Sequence, residues 1–289
     1  MPRATRTLKL NNINDLEKNL ARGSDIREDN PPIILDITSS FIADCHLDIS
    51  RLTALLTLPK ASLLLCDIEA VRLSQTDLKR DNLQVFIEIL SCFQTKNEIN
   101  RLILENNILT AESIVPLLNA IQTQFQSIKS IYASEQHILF RHQNGQINTD
   151  LLSDFLSALQ SNTTLHHLDI SRPKMPALHS REKYEQDLLL EIKKDLNGPI
   201  NINNIVLFTN EERSADFQQF ISARRLHDIQ ESTETDASMS GIGSEASDYS
   251  LPEQFSALSI LSGFEQQPPQ DRAVAEHSDT HGKTVGLKK

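Results

Sequence analysis

Tryptophan is absent from this chain, and cysteine, methionine and tyrosine occur only three times each. Glycine is scarce, at 8 of 289 residues. Three cysteines in no paired pattern (Cys45, Cys66 and Cys92) exclude a disulfide scaffold and suit reduced thiols in a cytosol. The low glycine content excludes collagen. No apolar run approaches the ~18 to 20 residues of a membrane-spanning helix, so a membrane bundle is excluded and no integral membrane segment is expected. The stretch from Met1 to Asn12 has basic residues but no apolar core, and is not expected to act as a secretory signal. Positive charge is also in deficit. With 28 Lys and Arg against 39 Asp and Glu, the formal charge is -11, which argues against nonspecific nucleic-acid binding.

What is present is a chain of 39% hydrophobic and 23% charged residues, long enough for one large domain or two small ones. The charge is uneven. Residues 1–225 carry 24 basic and 28 acidic side chains, whereas residues 226–289 carry 4 and 11. The second segment also holds Gly/Ser clusters, the pair Pro268-Pro269 and few aromatics. It buries too little apolar area to offset the entropy of ordering it. The expected organisation is an N-terminal cap or decayed repeat over 1–31, a repeat body over 32–228 and an acidic, mostly disordered tail over 229–289.

The body repeats. Apolar residues recur at positions 1, 4, 6 and 11 of a frame. Ile68, Val71, Leu73 and Leu78 fit it, as do Ile99, Leu102, Leu104 and Leu109. Ile128, Ile131, Ala133 and Ile138 follow, then Leu165, Leu168, Ile170 and Met175. Ile202, Ile205 and Leu207 begin a last copy, and Pro32, Leu35, Ile37 and Ile42 an earlier one. Start-to-start spacings are 36, 31, 29, 37 and 37 residues. A stretch of helical periodicity follows each frame, clearest at Leu151, Leu152, Phe155, Leu156 and Leu159. After the first frame, Leu47, Leu52, Leu55 and Leu56 predict one helix. Pro116 predicts a helix start near Ser113, with the proline in the first turn. Leu8, Leu10, Ile13, Leu16 and Leu20 suit a capping helix or a decayed repeat.

One short strand and one helix per copy resembles a leucine-rich repeat protein of the ribonuclease-inhibitor type. The best copy is INRLILENNILTAESIVPLLNAIQ, from Ile99 to Gln122. The resemblance covers roughly residues 32–225 and implies an α/β solenoid, a horseshoe arc of about five to six repeats with its parallel sheet on the concave face. Asn107 stands at position 9, where the family places an Asn to bond the turning backbone, and Asn210 matches too. Thr76, Gln136 and Pro173 do not, which puts regular stacking in doubt at Pro173. A doubly wound α/β domain also alternates strands and helices. The recurring position 11 and the lack of a glycine-rich loop after a strand disfavour it.

Strand side chains alternate, so positions 3, 5 and 7 should leave the core and form three lanes. The first lane is Ile34, Ala70, Arg101, Ser130, His167 and Asn204. The middle one is Asp36, Arg72, Ile103, Tyr132, Asp169 and Val206. The third is Thr38, Ser74, Glu105, Ser134, Ser171 and Phe208. Arg72, Arg101, Ile103, Glu105, Tyr132, His167, Asp169, Val206 and Phe208 are therefore the candidate partner-binding residues, because Arg and Tyr are enriched where binding energy concentrates. Val206 and Phe208 form an exposed apolar patch, unless the C-terminal cap covers them. Arg72 has Asp36 and Glu105 as candidate ion-pair partners. The insertions Arg141 to Gln146 and Pro173 to Arg181 lie between strand and helix, where added length often contributes to binding.

No catalytic constellation emerges. His166, His167 and Asp169 give too few ligands for a closed zinc site. Cys45 and His46 are adjacent, and neighbours on a helix do not face each other. Cys66 and Cys92 fall among apolar residues and read as packing. GKT at Gly282–Thr284 has His277 where a phosphate loop needs glycine. Asn162-Thr163-Thr164 is a glycosylation sequon, expected to stay unmodified without a signal sequence. Leu251 to Phe264, with Ser250 as a candidate cap, could fold into a partner groove or onto the protein's own cap.

The sequence thus predicts a monomeric, non-catalytic protein-binding module in a cytosol, with no cofactor, no metal and no nucleic-acid partner. Its Asn, Gln, Leu and Ile richness and polar tail resemble leucine-rich repeat effectors that intracellular bacteria inject into host cells. That resemblance implies delivery by a route independent of a signal peptide. An adaptor for a host ubiquitin ligase and an endogenous cytosolic scaffold are the alternatives.

Overall fold

A computed structural model describes residues 5–21, 31–74, 76–94, 98–105, 107–142, 144–176 and 180–239. Its strands are β1 (Arg6–Leu10), β2 (Ile33–Thr38), β3 (Ile68–Ser74), β4 (Arg101–Ile103), β5 (Ser130–Tyr132), β6 (His167–Asp169) and β7 (Asn204–Val206). They form one parallel sheet in strict chain order. Helices fill every connection: α1 (Ile13–Ala21), α2 (Ser39–Leu47), α3 (Ile49–Leu56), α4 (Pro59–Leu65), α5 (Arg80–Gln94), α6 (Ala111–Gln124), α7 (Thr149–Ser161) and α8 (Arg181–Asp195). The last element is α9 (Glu211–Met239). From α5 onward each helix packs on the next one along the chain. Strand order equal to chain order, with one crossover per strand, is a leucine-rich repeat solenoid rather than a doubly wound sheet.

The frame accounts for the core. Positions 1, 4, 6 and 11 are buried at Ile68, Val71, Leu73 and Leu78, and again at Ile99, Leu102, Leu104 and Leu109. Each such side chain contributes about 1.5–3 kcal/mol on leaving water. Aromatics fill the wider gaps, with Phe140 and Phe155 stacked at 4.7 Å. A parallel sheet needs its apolar face covered, and the helices cover it. Asp48, Asn148 and Ser180 begin α3, α7 and α8 by accepting a backbone N–H from Arg51, Leu151 and Lys183.

Several expectations shift. The six copies of the frame supply β2 to β7, and the N-terminal segment adds a strand of its own, β1, so the sheet has seven strands. The single helix expected through Leu47 to Leu56 is broken. Asp48 caps α3, Pro59 opens α4, and Leu47 is exposed at the end of α2. Helix α6 starts at Ala111, so Pro116 lies in its second turn on the exposed side. Cys66 is exposed at the C-cap of α4, because the chain leaves that helix into a turn before β3. Helix α9 runs on past residue 228 to Met239. Leu251 to Phe264, and GKT at 282–284, lie outside the described residues.

The turn after each strand explains the position-9 residue. Asn107 is buried. Its Oδ1 accepts the Thr76 N–H at 2.7 Å, and its Nδ2 faces the carbonyls of Leu73, Leu104 and Glu105 at 2.8–3.1 Å. Gln136 performs the same task one methylene longer. It accepts from Leu109 N–H at 3.3 Å and donates to the Ser134 carbonyl at 3.0 Å. Stacking also survives at Pro173, since Lys174 N–H donates to the Gln136 carbonyl at 2.6 Å. Glu135 and Arg172, both at position 8, take left-handed φ values of 59° and 55°. That conformation costs a non-glycine residue about 1–2 kcal/mol, and the bond from Glu135 N–H to the Ser171 carbonyl helps hold it.

Asn162 is fully buried at the C-cap of α7. Its side chain accepts from Thr164 and Leu165 N–H and donates to the Leu118 carbonyl. The sequon is thus a turn-forming residue inside the fold. The insertion from Arg141 is a small hairpin. Arg141 bridges to Ile147 in antiparallel fashion, its Nε donates to the Gly145 carbonyl at 2.5 Å, and Gly145 takes a φ of 91°.

Candidate protein-binding face

One face of the sheet carries helices, and the other presents positions 3 and 5 of each strand. The pairing places the middle lane in register: Asp36 beside Arg72, Arg72 beside Ile103, then Tyr132, Asp169 and Val206. The first lane is equally continuous from Ala70 through Arg101, Ser130 and His167 to Asn204. The third lane is paired only at Thr38 and Ser74, because the later strands are three residues long.

The centre of this face is aromatic. Tyr132 and His167 stack with ring centroids 4.7 Å apart, and both are half-buried. Asn204 Nδ2 lies 3.0 Å from His167 Nδ1 and fixes the ring. Among the described residues, His167 Nε2 is buried without a hydrogen-bond partner. Ile103 and Val206 are half-buried on either side.

Arg101 pairs with Glu69 at 2.5 Å. The register between β2 and β3 slips between Ile33 and Ile34, so Glu69 is an extra residue in β3. A bulge of this kind re-aims a side chain, and here it brings a carboxylate to Arg101. The frame alone places Glu69 at position 2, turned aside, so only a register irregularity could have revealed it.

Arg72 is half-buried and has no ion-pair partner among the described residues. Asp36 instead accepts the Ser74 hydroxyl at 2.5 Å. Glu105 is exposed, and lines with Arg72, Lys9, Asn11, Thr38 and Ser74 a cleft of about 630 Å³. Asp169 is half committed: one oxygen accepts both the N–H and the hydroxyl of Ser171, at 2.9 and 2.7 Å.

Phe208 is not on this face. It is buried beneath α9, edge-on to Phe217 at 5.6 Å, because the chain turns after β7 and carries its side chain under the closing helix. The apolar patch expected at Val206 and Phe208 is therefore reduced to Val206. Cys45 lies on the buried face of α2, and burial with the neighbouring Asp44 pushes its thiol up to about 12. It is unsuited to nucleophilic work at neutral pH. His166 is exposed and its Nδ1 lies 3.0 Å from the Thr164 carbonyl oxygen, apart from His167. No described helix is long and apolar enough to cross a membrane.

No protein-family model matches the sequence, and no curated protein matches it. Solved structures that resemble the chain include the following two. The tropomodulin C-terminal domain of Caenorhabditis elegans is similar at 13% identity and a TM-score of 0.33, over 57% of this chain and 90% of that one. The second actin-binding site of leiomodin-1 is similar at 11% identity and a TM-score of 0.35, over 60% and 90%. The leucine-rich repeat architecture rests on this chain's own register, strand order and stacked helices.

Proposed function

We propose that the open sheet face binds a protein partner, with Tyr132 and His167 as its centre, Arg72, Arg101, Ile103, Asp169 and Val206 around them, and Glu105 at the rim. The observation that carries this reading is the Tyr132–His167 stack, a rigid half-exposed aromatic pair in the middle of a mixed-charge face. Aromatic and arginine side chains so placed are the ones that dominate binding energy when truncated. The mixture of paired Arg101 with an Arg72 that has no ion-pair partner among the described residues, beside the carboxylates of Glu105 and Asp169, favours an extended polar surface over a small substrate. The module is non-catalytic in this reading, and its repeats are of the ribonuclease-inhibitor type.

The double variant Tyr132→Ala plus Arg101→Ala tests it. The expected result is a protein of unchanged melting temperature whose cross-linked partner set, quantified by mass spectrometry, loses its main member. An identical partner set would remove the open face from consideration. Delivery into a host cytosol, by analogy with the bacterial effectors that the composition resembles, is a separable part of the proposal. Normal translocation of a chain lacking residues 265–289 argues against a C-terminal export signal.

A further inference from the structure

The two outer strands of the sheet are treated differently by the rest of the chain. At β7 the N–H of Asn204 bonds the His166 carbonyl and the N–H of Ile170 bonds the Val206 carbonyl, so residues 204 and 206 face β6. In a parallel strand, alternate residues direct their backbone groups to opposite sides. Ile205 therefore faces outward, and its carbonyl accepts from Gln218 Nε2 of α9 at 2.6 Å. Arg225 of the same helix donates to the carbonyls of Ile200 and Ile202 just upstream. The C-terminal edge is sealed by side chains.

At β1 the N–H of Arg6 bonds the Pro32 carbonyl, so Arg6, Leu8 and Leu10 face β2. The same alternation turns the N–H and C=O of Thr7 and Lys9 outward. Neither residue has an outward hydrogen bond among the described residues. Arg6, Thr7 and Lys9 are exposed, and the two cations have no ion-pair partner there. Lys9 also lines the cleft of about 630 Å³ beside Asn11 and Arg72.

We propose that the outer edge of β1 accepts an extended, acidic segment of a partner protein as an eighth strand. The backbone groups of Thr7 and Lys9 supply the ladder bonds, as in other strand-addition complexes. Charge selects the occupant. A second copy paired antiparallel on β1 gathers two Arg6 and two Lys9 side chains on one short ladder, and like charges on paired strands repel. A segment with carboxylates at alternate positions presents them on one face of the sheet, where they meet Lys9, while Arg6 lies on the opposite face with Leu8 and Leu10. Basic side chains at an open edge keep unselected strands away, and here the same guard confers specificity.

The probe is an acetylated, fluorescently labelled seven-residue peptide alternating Glu and Val, titrated into the full chain at low salt and followed by anisotropy. The expected result is saturable binding that Thr7→Pro weakens by about tenfold or more, equivalent to ~1.4 kcal/mol. Thr7→Pro removes an outward N–H and leaves the bonds to β2 in place. Lys9→Glu weakens binding similarly and transfers the preference to a Lys/Val peptide. The double variant Tyr132→Ala plus Arg101→Ala binds the acidic peptide as the parent does, which separates this edge from the open face. Should Thr7→Pro misfold by circular dichroism, a peptide N-methylated at alternate amides takes its place and is expected not to bind. No saturable binding, or equal binding by Lys9→Glu, overturns the proposal. A concentration-dependent dimer in sedimentation that Thr7→Pro abolishes also overturns it, in favour of a second copy.

Discussion

The β1 and β7 ends of the sheet differ in how they stop, although the same frame leads into both. At β7 a long helix lies across the last repeat, and its side chains bond carbonyls that would otherwise face solvent. Glu185, buried at 2% exposure, ties α8 to that closure. It accepts from Thr209 and Asn210 N–H and faces Arg213 at 3.4 Å. At β1 the cover is a nine-residue helix beneath the core face, and the strand edge is left bare among the described residues. A solenoid has no intrinsic end, so each terminus needs its own device. The contrast is between a C-terminal edge closed by side chains of α9 and an N-terminal edge that is bare among the described residues.

The comparison can be broken most forcefully at Phe217, which is fully buried against Phe208. Phe217→Ala is expected to lower stability by about 3–5 kcal/mol, read as a lower urea midpoint. A loss below about 1 kcal/mol would mean that α9 is not a closing element.

Alkali probes the same end through Tyr184, whose hydroxyl accepts the Phe140 N–H at 3.2 Å. Burial pushes this phenol up to about 12 from 10.0. Its proton is held more tightly in the folded state. Its contribution is therefore intact below about pH 10 and is lost as pH rises toward about 12, roughly 3 kcal/mol in all. Tyr184→Phe is expected to flatten that part of the stability profile. A profile identical to the parent's would assign the alkaline loss to other groups, Cys45 first among them.

The smallest of these effects is the most discriminating. Arg225→Ala frees the Ile200 and Ile202 carbonyls and is expected to cost about 1–3 kcal/mol. Combined with Gln218→Ala, which frees the Ile205 carbonyl, it should also give β7 a bare edge like that of β1, seen as self-association by light scattering. A variant that is destabilised yet stays monodisperse would show that bare edges alone do not attract partners, and would sharpen the role of charge at Arg6 and Lys9.

Much of the fold was legible because apolar spacing at positions 1, 4, 6 and 11 is a direct demand of stacking. Every pairing in the first two lanes, from Arg72 beside Ile103 to Asp169 beside Val206, follows from the frame. The lanes failed at Phe208, where the strand ends and alternation no longer governs direction. They also missed Glu69, since a bulge is a backbone irregularity that side-chain periodicity does not encode. Gln136 mismatches the family pattern because that pattern names a residue type, whereas the turn requires an amide that reaches. Spacing alone joins Leu47 to the helix that follows, but the Asp48 cap starts a new helix there and overrides it.

The Asn107 amide has a consequence for how the chain is made. Thr76 and Leu73 end the turn of one repeat, and the group that satisfies them is 31 and 34 residues downstream. At ~5–20 residues per second on the ribosome, that turn waits roughly 2 to 6 s for its partner. Each repeat is thus completed by its successor, so a chain stalled between Thr76 and Asn107 would leave the ribosome with its last turn open and its backbone donors exposed.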